Sequence, residues 1–161
     1  MQAESSGIEG YVAESVIRVL IADDHEPLRR FVSSTLEKVC QLRLVGEASD
    51  GLAALWKAQE LQADIILLDI GLPKLNGFEV ARQIRERIPQ LRIVFFSTDS
   101  SSQMVEAALR LGADGFIVKS DAGTDLVPAL EAVLQGEKYF SSSLANHVSR
   151  AHFPEARERE Q

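Results

Sequence analysis

Asp69 closes the apolar run Ile65-Ile66-Leu67-Leu68, at what reads as the carboxyl end of a buried strand. A second run, Val19-Leu20-Ile21-Ala22, ends in Asp23-Asp24, and a third, Phe116-Ile117-Val118, ends in Lys119. If the three acids converge, each pair at about 4–5 Å repels by roughly 3–4 kcal/mol at an effective dielectric near 20. Such a cluster calls for a cation. Hard carboxylate oxygens suit Mg²⁺, which keeps several waters and accepts a phosphate oxygen, and the chain offers no His/Cys set of the kind zinc prefers. A carboxylate can also attack phosphorus to give an acyl phosphate while a metal ion and an ammonium neutralise the phosphoryl oxygens. Ser97, closing the run Ile93-Val94-Phe95-Phe96, adds a hydroxyl donor at the same edge.

The elements that must position these groups follow from the pattern. Apolar runs of four or five residues alternate with amphipathic stretches of about a dozen, the signature of a parallel sheet covered by helices on both faces. Strands are expected near 17–22, 42–48, 64–69, 91–96 and 115–118, giving five β/α repeats. The first helix is marked by Leu28, Phe31, Val32, Leu36 and Val39, with Pro27 in its first turn. Further helices are expected near 51–61, 77–87 and 101–111, with Gly112 stopping the fourth, and the last carries Leu126, Ala129, Leu130, Val133 and Leu134. The second strand holds charges within it and reads as an edge. In an open sheet of this kind the ligand site lies beyond the carboxyl ends of the strands, beside the point where strand order reverses.

Single residues carry less. Asp23 and Asp24 alone would more often be a helix cap than metal ligands, and only their joint occurrence with Asp69 and Lys119 reverses that; Lys119 alone would be a solvated strand end, and Ser97 could cap the fourth helix. His25 reads as a loop or helix-start residue, Phe116 as a core aromatic, and Trp56 as partly buried on the second helix.

A chain of 161 residues with 45% apolar content fits one domain. Residues 1–15 carry a charge of −3 and 150–161 are neutral, leaving −4 of the net −7 on residues 16–149. Both ends read as extensions, 1–15 before and 137–161 after a body over 16–136, and 141–151 could begin a short serine-capped helix. The acidity argues against nucleic acid or an anionic membrane as a partner of this chain itself. No apolar stretch is long enough for a membrane span and the acidic start lacks a secretory pattern, so a cytoplasmic protein is expected. Cys40, the one cysteine, reads as a small core residue in a reducing compartment.

With the acidic pair in IADDH, the segment LLDIGLPKLNGFEV, Ser97-Thr98 in VFFSTDS, and GADGFIVKS, the chain resembles a response-regulator receiver domain of two-component signalling over about 16–136. The spacing of 22 between Ser97 and Lys119, and Pro73 and Gly77 four and eight beyond Asp69, carry the resemblance further. It implies a flavodoxin-like, doubly wound five-stranded sheet of order 2-1-3-4-5. It also implies Asp69 as phosphoacceptor, Asp24 as a direct Mg²⁺ ligand, Asp23 as a ligand mostly through water, and the Gly71 carbonyl as a further ligand. Ser97 and Lys119 would hold the phosphoryl oxygens, Ser97 and Phe116 would form the switch, and Thr98 would modulate water access. Phe116 lacks a tyrosine hydroxyl, so a switch here works by packing. The implied partner is a histidine kinase, with a homodimer possible.

Ser120 stands where many receivers have proline, and a trans Lys119–Ser120 bond is expected, because cis would cost about 3–4 kcal/mol. LVGEASDGLAAL and LEAVLQGEKYFS are similar to NarL/FixJ-type regulators, in which a helix-turn-helix domain follows a linker. The chain stops at Gln161, too short for that domain, and the favoured reading is the receiver part of a longer transcription regulator. The alternatives are a stand-alone receiver and an unphosphorylated scaffold. An aspartyl phosphohydrolase would need an acid at Gly71, and a flavin carrier a Ser/Thr/Gly-rich loop where DDHEPLRR stands, so no enzyme beyond self-phosphorylation and self-dephosphorylation is expected.

Overall fold

The computed structural model describes residues 16–144. In chain order the elements are β1 (Ile17–Ala22), α1 (Glu26–Glu37), β2 (Leu42–Ala48), α2 (Gly51–Leu61), β3 (Ile65–Asp69) and α3 (Gly77–Arg87). Then come β4 (Arg92–Ser97), α4 (Ser102–Arg110), β5 (Gly115–Val118), a 3-10 turn (Lys119–Asp121), α5 (Ala122–Leu134), β6 (Tyr139–Phe140) and a second 3-10 turn (Ser142–Leu144). The helix expected near 141–151 is represented by that last turn, and residues 145–151 lie outside the described residues, as do 1–15. No described helix is long and apolar enough to cross a membrane.

Val19–Ala22, Ile65–Leu68 and Ile93–Phe96 are wholly buried because each strand is covered on both faces. Alternation splits them. Leu20, Ala22, Ile66, Leu68, Ile93, Phe95 and Phe116 pack under α2, α3 and α4. Val19, Ile21, Ile65, Leu67, Val94, Phe96 and Ile117 pack under α1 and α5. Gly112, at φ +77°, ends α4 in the left-handed region.

The sheet is parallel with order β2-β1-β3-β4-β5-β6, so it has six strands where five were expected. The expected order holds over the first five, and β2 is an edge. The sixth strand is a two-residue segment paired through Gly115↔Tyr139 and Phe116↔Phe140. Too short to show as an apolar run, it is held by side chains on alternate residues. The Tyr139 hydroxyl donates to Asp125 Oδ1 at 2.8 Å, the Val118 N–H donates to Ser141 Oγ at 3.0 Å, and the Ser143 hydroxyl donates to Asp121 Oδ2 at 2.9 Å.

Asp125 is buried, with the Tyr139 hydroxyl on its Oδ1 and no hydrogen-bond partner for its Oδ2 among the described residues. Tyr139→Phe should therefore lower stability by about 2 kcal/mol in urea unfolding, the usual cost of an orphaned buried acceptor, and speed amide exchange at Ser141. Burial, then the bond to Asp125, pushes the Tyr139 hydroxyl up to about 12. The folded state thus holds that proton more tightly than the unfolded one, and this contribution to stability is lost as the pH rises from about 10 to about 12.

Two exposure expectations are corrected. Cys40 is exposed, because α1 ends at Glu37 and Val39, not Cys40, turns toward the core. Trp56 is 61% exposed, and Leu52, one turn before it, 56%. The buried stripe of α2 is Ala54, Leu55 and Ala58, which puts Leu52 and Trp56 on the outer face.

Candidate functional site

Sheet register brings the acids together. Ala22 of β1 is level with Leu68 of β3, so Asp23 and Asp69, one residue further along each strand, emerge side by side. This is the point where strand order reverses, β2 lying to one side of β1 and β3 to the other. Asp69 is level with Phe96 and Ser97 with Val118, which steps Ser97 and Lys119 along the same edge.

Asp23, Asp24 and Asp69 each offer a carboxylate oxygen within 4.8 Å of the others. Asp23 is fully buried, Asp69 is 7% exposed, and Asp24 faces solvent. Lys119 Nζ lies 2.6 Å from Asp23 Oδ2 and 3.1 Å from Asp69 Oδ1. Asp23 Oδ2 has that ammonium as its partner and no other among the described residues, and Oδ1 accepts the His25 backbone N–H at 2.8 Å. One ammonium for three carboxylates leaves the cluster two negative charges in excess. An all-oxygen set with one solvent-facing carboxylate and a poorly satisfied buried oxygen fits a hard divalent cation that retains water.

Burial, then the charge of Asp23, raises the pKa of Asp69 above the ordinary aspartate value, against the pull of Lys119. Burial alone would lower Lys119, but the hydrogen bond to Asp23 and the charges of Asp69 and Asp23 outweigh it, and its pKa is raised. The lysine is therefore a fixed cation at neutral pH and Asp69 an unusually basic carboxylate.

The loop after β3 is pinned on both sides. Gly51 N–H donates to the Pro73 carbonyl at 3.0 Å and Gly77 N–H to the Ile70 carbonyl at 2.7 Å. Lys74 takes a left-handed φ of +71° and pairs with Asp50 at 3.5 Å. A Cβ at Gly77 would collide with the Asp69 carbonyl oxygen and stand 2.7 Å from Ile70 Cα, so the start of α3 packs directly on the backbone of the acid. At Gly71 a Cβ would meet nothing within 4 Å among the described residues. Gly77→Ala should thus cost roughly 2–3 kcal/mol by overpacking, whereas Gly71→Ala should stay within about 0.5 kcal/mol, both read by thermal unfolding.

The open alternatives for single residues are resolved by their partners. His25, not either aspartate, is the N-cap of α1, with no side-chain bond. Ser101 caps α4 by accepting the Met104 N–H, so Ser97 does not. Ser97 is buried and its hydroxyl turns into its own loop, accepting the Asp99 N–H at 2.9 Å and donating to the Asp99 carbonyl at 3.2 Å. Thr98 beside it is exposed. Phe116 is fully buried against Phe95 at 6.4 Å between ring centroids, and Phe95 meets Phe78 edge-on at 5.4 Å. The Lys119–Ser120 bond is trans, as is every peptide bond among the described residues.

The sequence reading overlooked Arg29 and Glu47. Arg29 Nη1 donates to the Asp23 carbonyl at 2.7 Å and Nε to Glu47 Oε1 at 3.0 Å. An arginine on a helix's first turns carries no sequence signal for such a role.

Comparison with known proteins agrees with this geometry. The family model for the response regulator receiver domain matches residues 19–131. The chain is 37% identical over 126 residues to the nitrate/nitrite response regulator protein NarL of Escherichia coli K12, covering 78% of this chain and 58% of that protein. To the response regulator GacA of Pseudomonas viridiflava it is 30% identical over 138 residues, covering 86% and 64%. The chain thus spans about three-fifths of the curated relatives it matches. Among solved structures, a LuxR-family two-component response regulator from Aurantimonas sp. SI85-9A1 superposes with a TM-score of 0.78 at 30% identity, over 91% of this chain and 99% of that one. The isolated REC domain of RcsB from Salmonella enterica serovar Typhimurium, in the presence of phosphomimetic BeF3-, gives 0.77 at 28% identity, over 83% and 99%.

Proposed function

The chain belongs to the response regulator receiver domain family, of the NarL/FixJ type, and on that premise we propose that Asp69 accepts a phosphoryl group from a phosphohistidine on a partner kinase. A carboxylate oxygen of Asp69 forms the new P–O bond as the P–N bond to the imidazole breaks, and the released imidazole takes its proton from solvent. The observation that carries this is a buried, basic carboxylate 3.1 Å from a lysine ammonium inside a three-carboxylate cluster. Asp24, Asp69 and the Gly71 carbonyl would hold Mg²⁺, with Asp23 acting mostly through water. The bound ion would neutralise charge on the phosphoryl oxygens.

Lys119 and Ser97 hold the transferred group. Lys119 already faces Asp69, but Ser97 must first leave both of its bonds to Asp99, so phosphorylation reorganises the loop after β4. Thr98, exposed beside it, tunes water access to the acyl phosphate. Phe116, having no hydroxyl, answers by repacking against Phe95 and not by a new hydrogen bond. The result is a shift between two packings of the face formed by α4, β5 and α5. A homodimer is one product of that shift.

The receiver body runs past residue 136 to Leu144, since β6 extends its sheet and Leu144 is buried in its core, and residues 145–161 lead toward a DNA-binding output domain, the chain itself being too acidic to grip DNA. We place the protein in the cytoplasm, with no catalysis beyond its own phosphorylation and dephosphorylation.

Incubation with acetyl phosphate and Mg²⁺, followed by intact mass spectrometry, should show one phosphoryl group, lost on hydroxylamine treatment. An unmodified mass, together with an unchanged size-exclusion profile in beryllofluoride and Mg²⁺, would sink the reading.

A further inference from the structure

We propose that Arg29 is a positioning residue that sets the direction in which Asp24 presents its carboxylate to a divalent cation. The inference rests on reading the three acids as the Mg²⁺ site.

Asp24 is the one exposed member of the cluster, so packing of its side chain does not orient it. Its backbone is held instead. The Asp23 carbonyl lies in the peptide plane before the Asp24 Cα, and the His25 N–H in the plane after it. Because peptide units are planar, pinning one polar atom in each plane leaves the Asp24 Cα–Cβ bond little freedom. Arg29 Nη1 pins the first at 2.7 Å, and Asp23 Oδ1, accepting the His25 N–H at 2.8 Å, pins the second.

The guanidinium is itself fixed. Its Nε donates to Glu47 Oε1 at 3.0 Å, and Glu47 stands on β2 level with Ile21 of β1. The next pair in register is Ala22 and Ala48, and the Asp23 N–H donates to the Ala48 carbonyl at 2.9 Å. Arg29 therefore closes a brace from α1 through the end of β2 to the turn that carries both acids. A planar fork with separate donors can serve both acceptors at once, which a lysine ammonium on a flexible stem does poorly.

The sign of the effect separates positioning from charge. Coulomb's law alone says that removing a cation beside an acidic site makes Mg²⁺ bind more tightly. Loss of an orienting group makes it bind more weakly, and outer-shell partners of metal ligands typically account for about 10–100-fold in affinity.

The test is a Mg²⁺ titration of the full 161-residue chain, monitored by NMR shifts of the Asp23 and Asp24 amides. Arg29→Ala should raise the midpoint about tenfold. Arg29→Lys, which keeps the charge and most of the stem, should also raise it, and serves if the alanine variant does not fold. Arg30→Ala removes the same charge one residue on, from an exposed pair with Glu26, and should leave the midpoint unchanged or lower. A wild-type midpoint in both Arg29 variants, beside its loss in Asp24→Asn, overturns the brace alone. Absence of any saturable Mg²⁺ shift in the wild type overturns the metal reading and the brace with it.

Discussion

Asp69→Asn should take up no phosphoryl group from acetyl phosphate with Mg²⁺, while its thermal midpoint at neutral pH without Mg²⁺ rises above that of the wild type. The first result follows from chemistry, since a carboxamide oxygen is too weak a nucleophile to form the acyl phosphate. The second follows from electrostatics. Burial and the neighbouring Asp23 raise the Asp69 pKa in the folded state, so the folded protein binds that proton more tightly than the unfolded chain. The contribution to stability is then greatest below the ordinary value of 3.8 and is lost as the pH rises through the folded value. At neutral pH an ionised Asp69 burdens the fold, and a neutral isostere removes that burden. Mass spectrometry and a pair of melting curves check both halves. Undiminished labelling of the variant would move the phosphoacceptor elsewhere.

Lys119→Ala should be the most destabilising change within the acid cluster. The lysine is the ion-pair partner of Asp23 Oδ2 and lies against Asp69 Oδ1, and Asp23 is fully buried. Its removal leaves two carboxylates facing each other with no compensating ammonium. Stranding a buried charge in this way typically costs about 3–5 kcal/mol, limited here by the proton that one acid can take up. Urea unfolding at neutral pH should show the loss, and added Mg²⁺ should recover part of it if the acids bind the ion. The same variant should still accept a phosphoryl group, slowly, because the nucleophile remains. It should then fail to shift its elution in beryllofluoride when the wild type does, since the group that draws β5 toward the phosphoryl oxygens has gone. A variant as stable as the wild type would show that Asp23 is satisfied by other means.

The local elements were readable because single residues announce them. The runs ending in Ala22, Asp69 and Val118 are bounded by charges or turns, and Gly51 and Gly77 open the helices over 51–61 and 77–87 where expected. The charges inside β2 marked it as an edge, and it is one. Where an amphipathic stripe was ambiguous the reading failed. Cys40 and Trp56 are apolar residues beside a buried stripe, and which of two neighbouring positions turns inward depends on the element that packs above. The sixth strand has no sequence signal of its own, for two residues define no period. It exists because β5 offers an open edge and because Asp125, Asp121 and the Val118 N–H await partners there.

The sequence by itself determined the chemistry available to this protein: acids and a lysine at the ends of strands too apolar to be anything but buried, in the spacing of a receiver. Strand ends are local facts, written in consecutive residues. Only the tertiary structure decided how that chemistry is arranged. It put Lys119 at 2.6 Å from Asp23 as well as beside Asp69, turned Ser97 toward Asp99, seated Gly77 on the Asp69 carbonyl, and brought Arg29 to the peptide plane before Asp24. Apart from the local Ser97–Asp99 turn, each of these pairings depends on sheet register or helix docking, which join residues far apart in the chain or fix the angle at which near ones meet. No local pattern encodes such a distance.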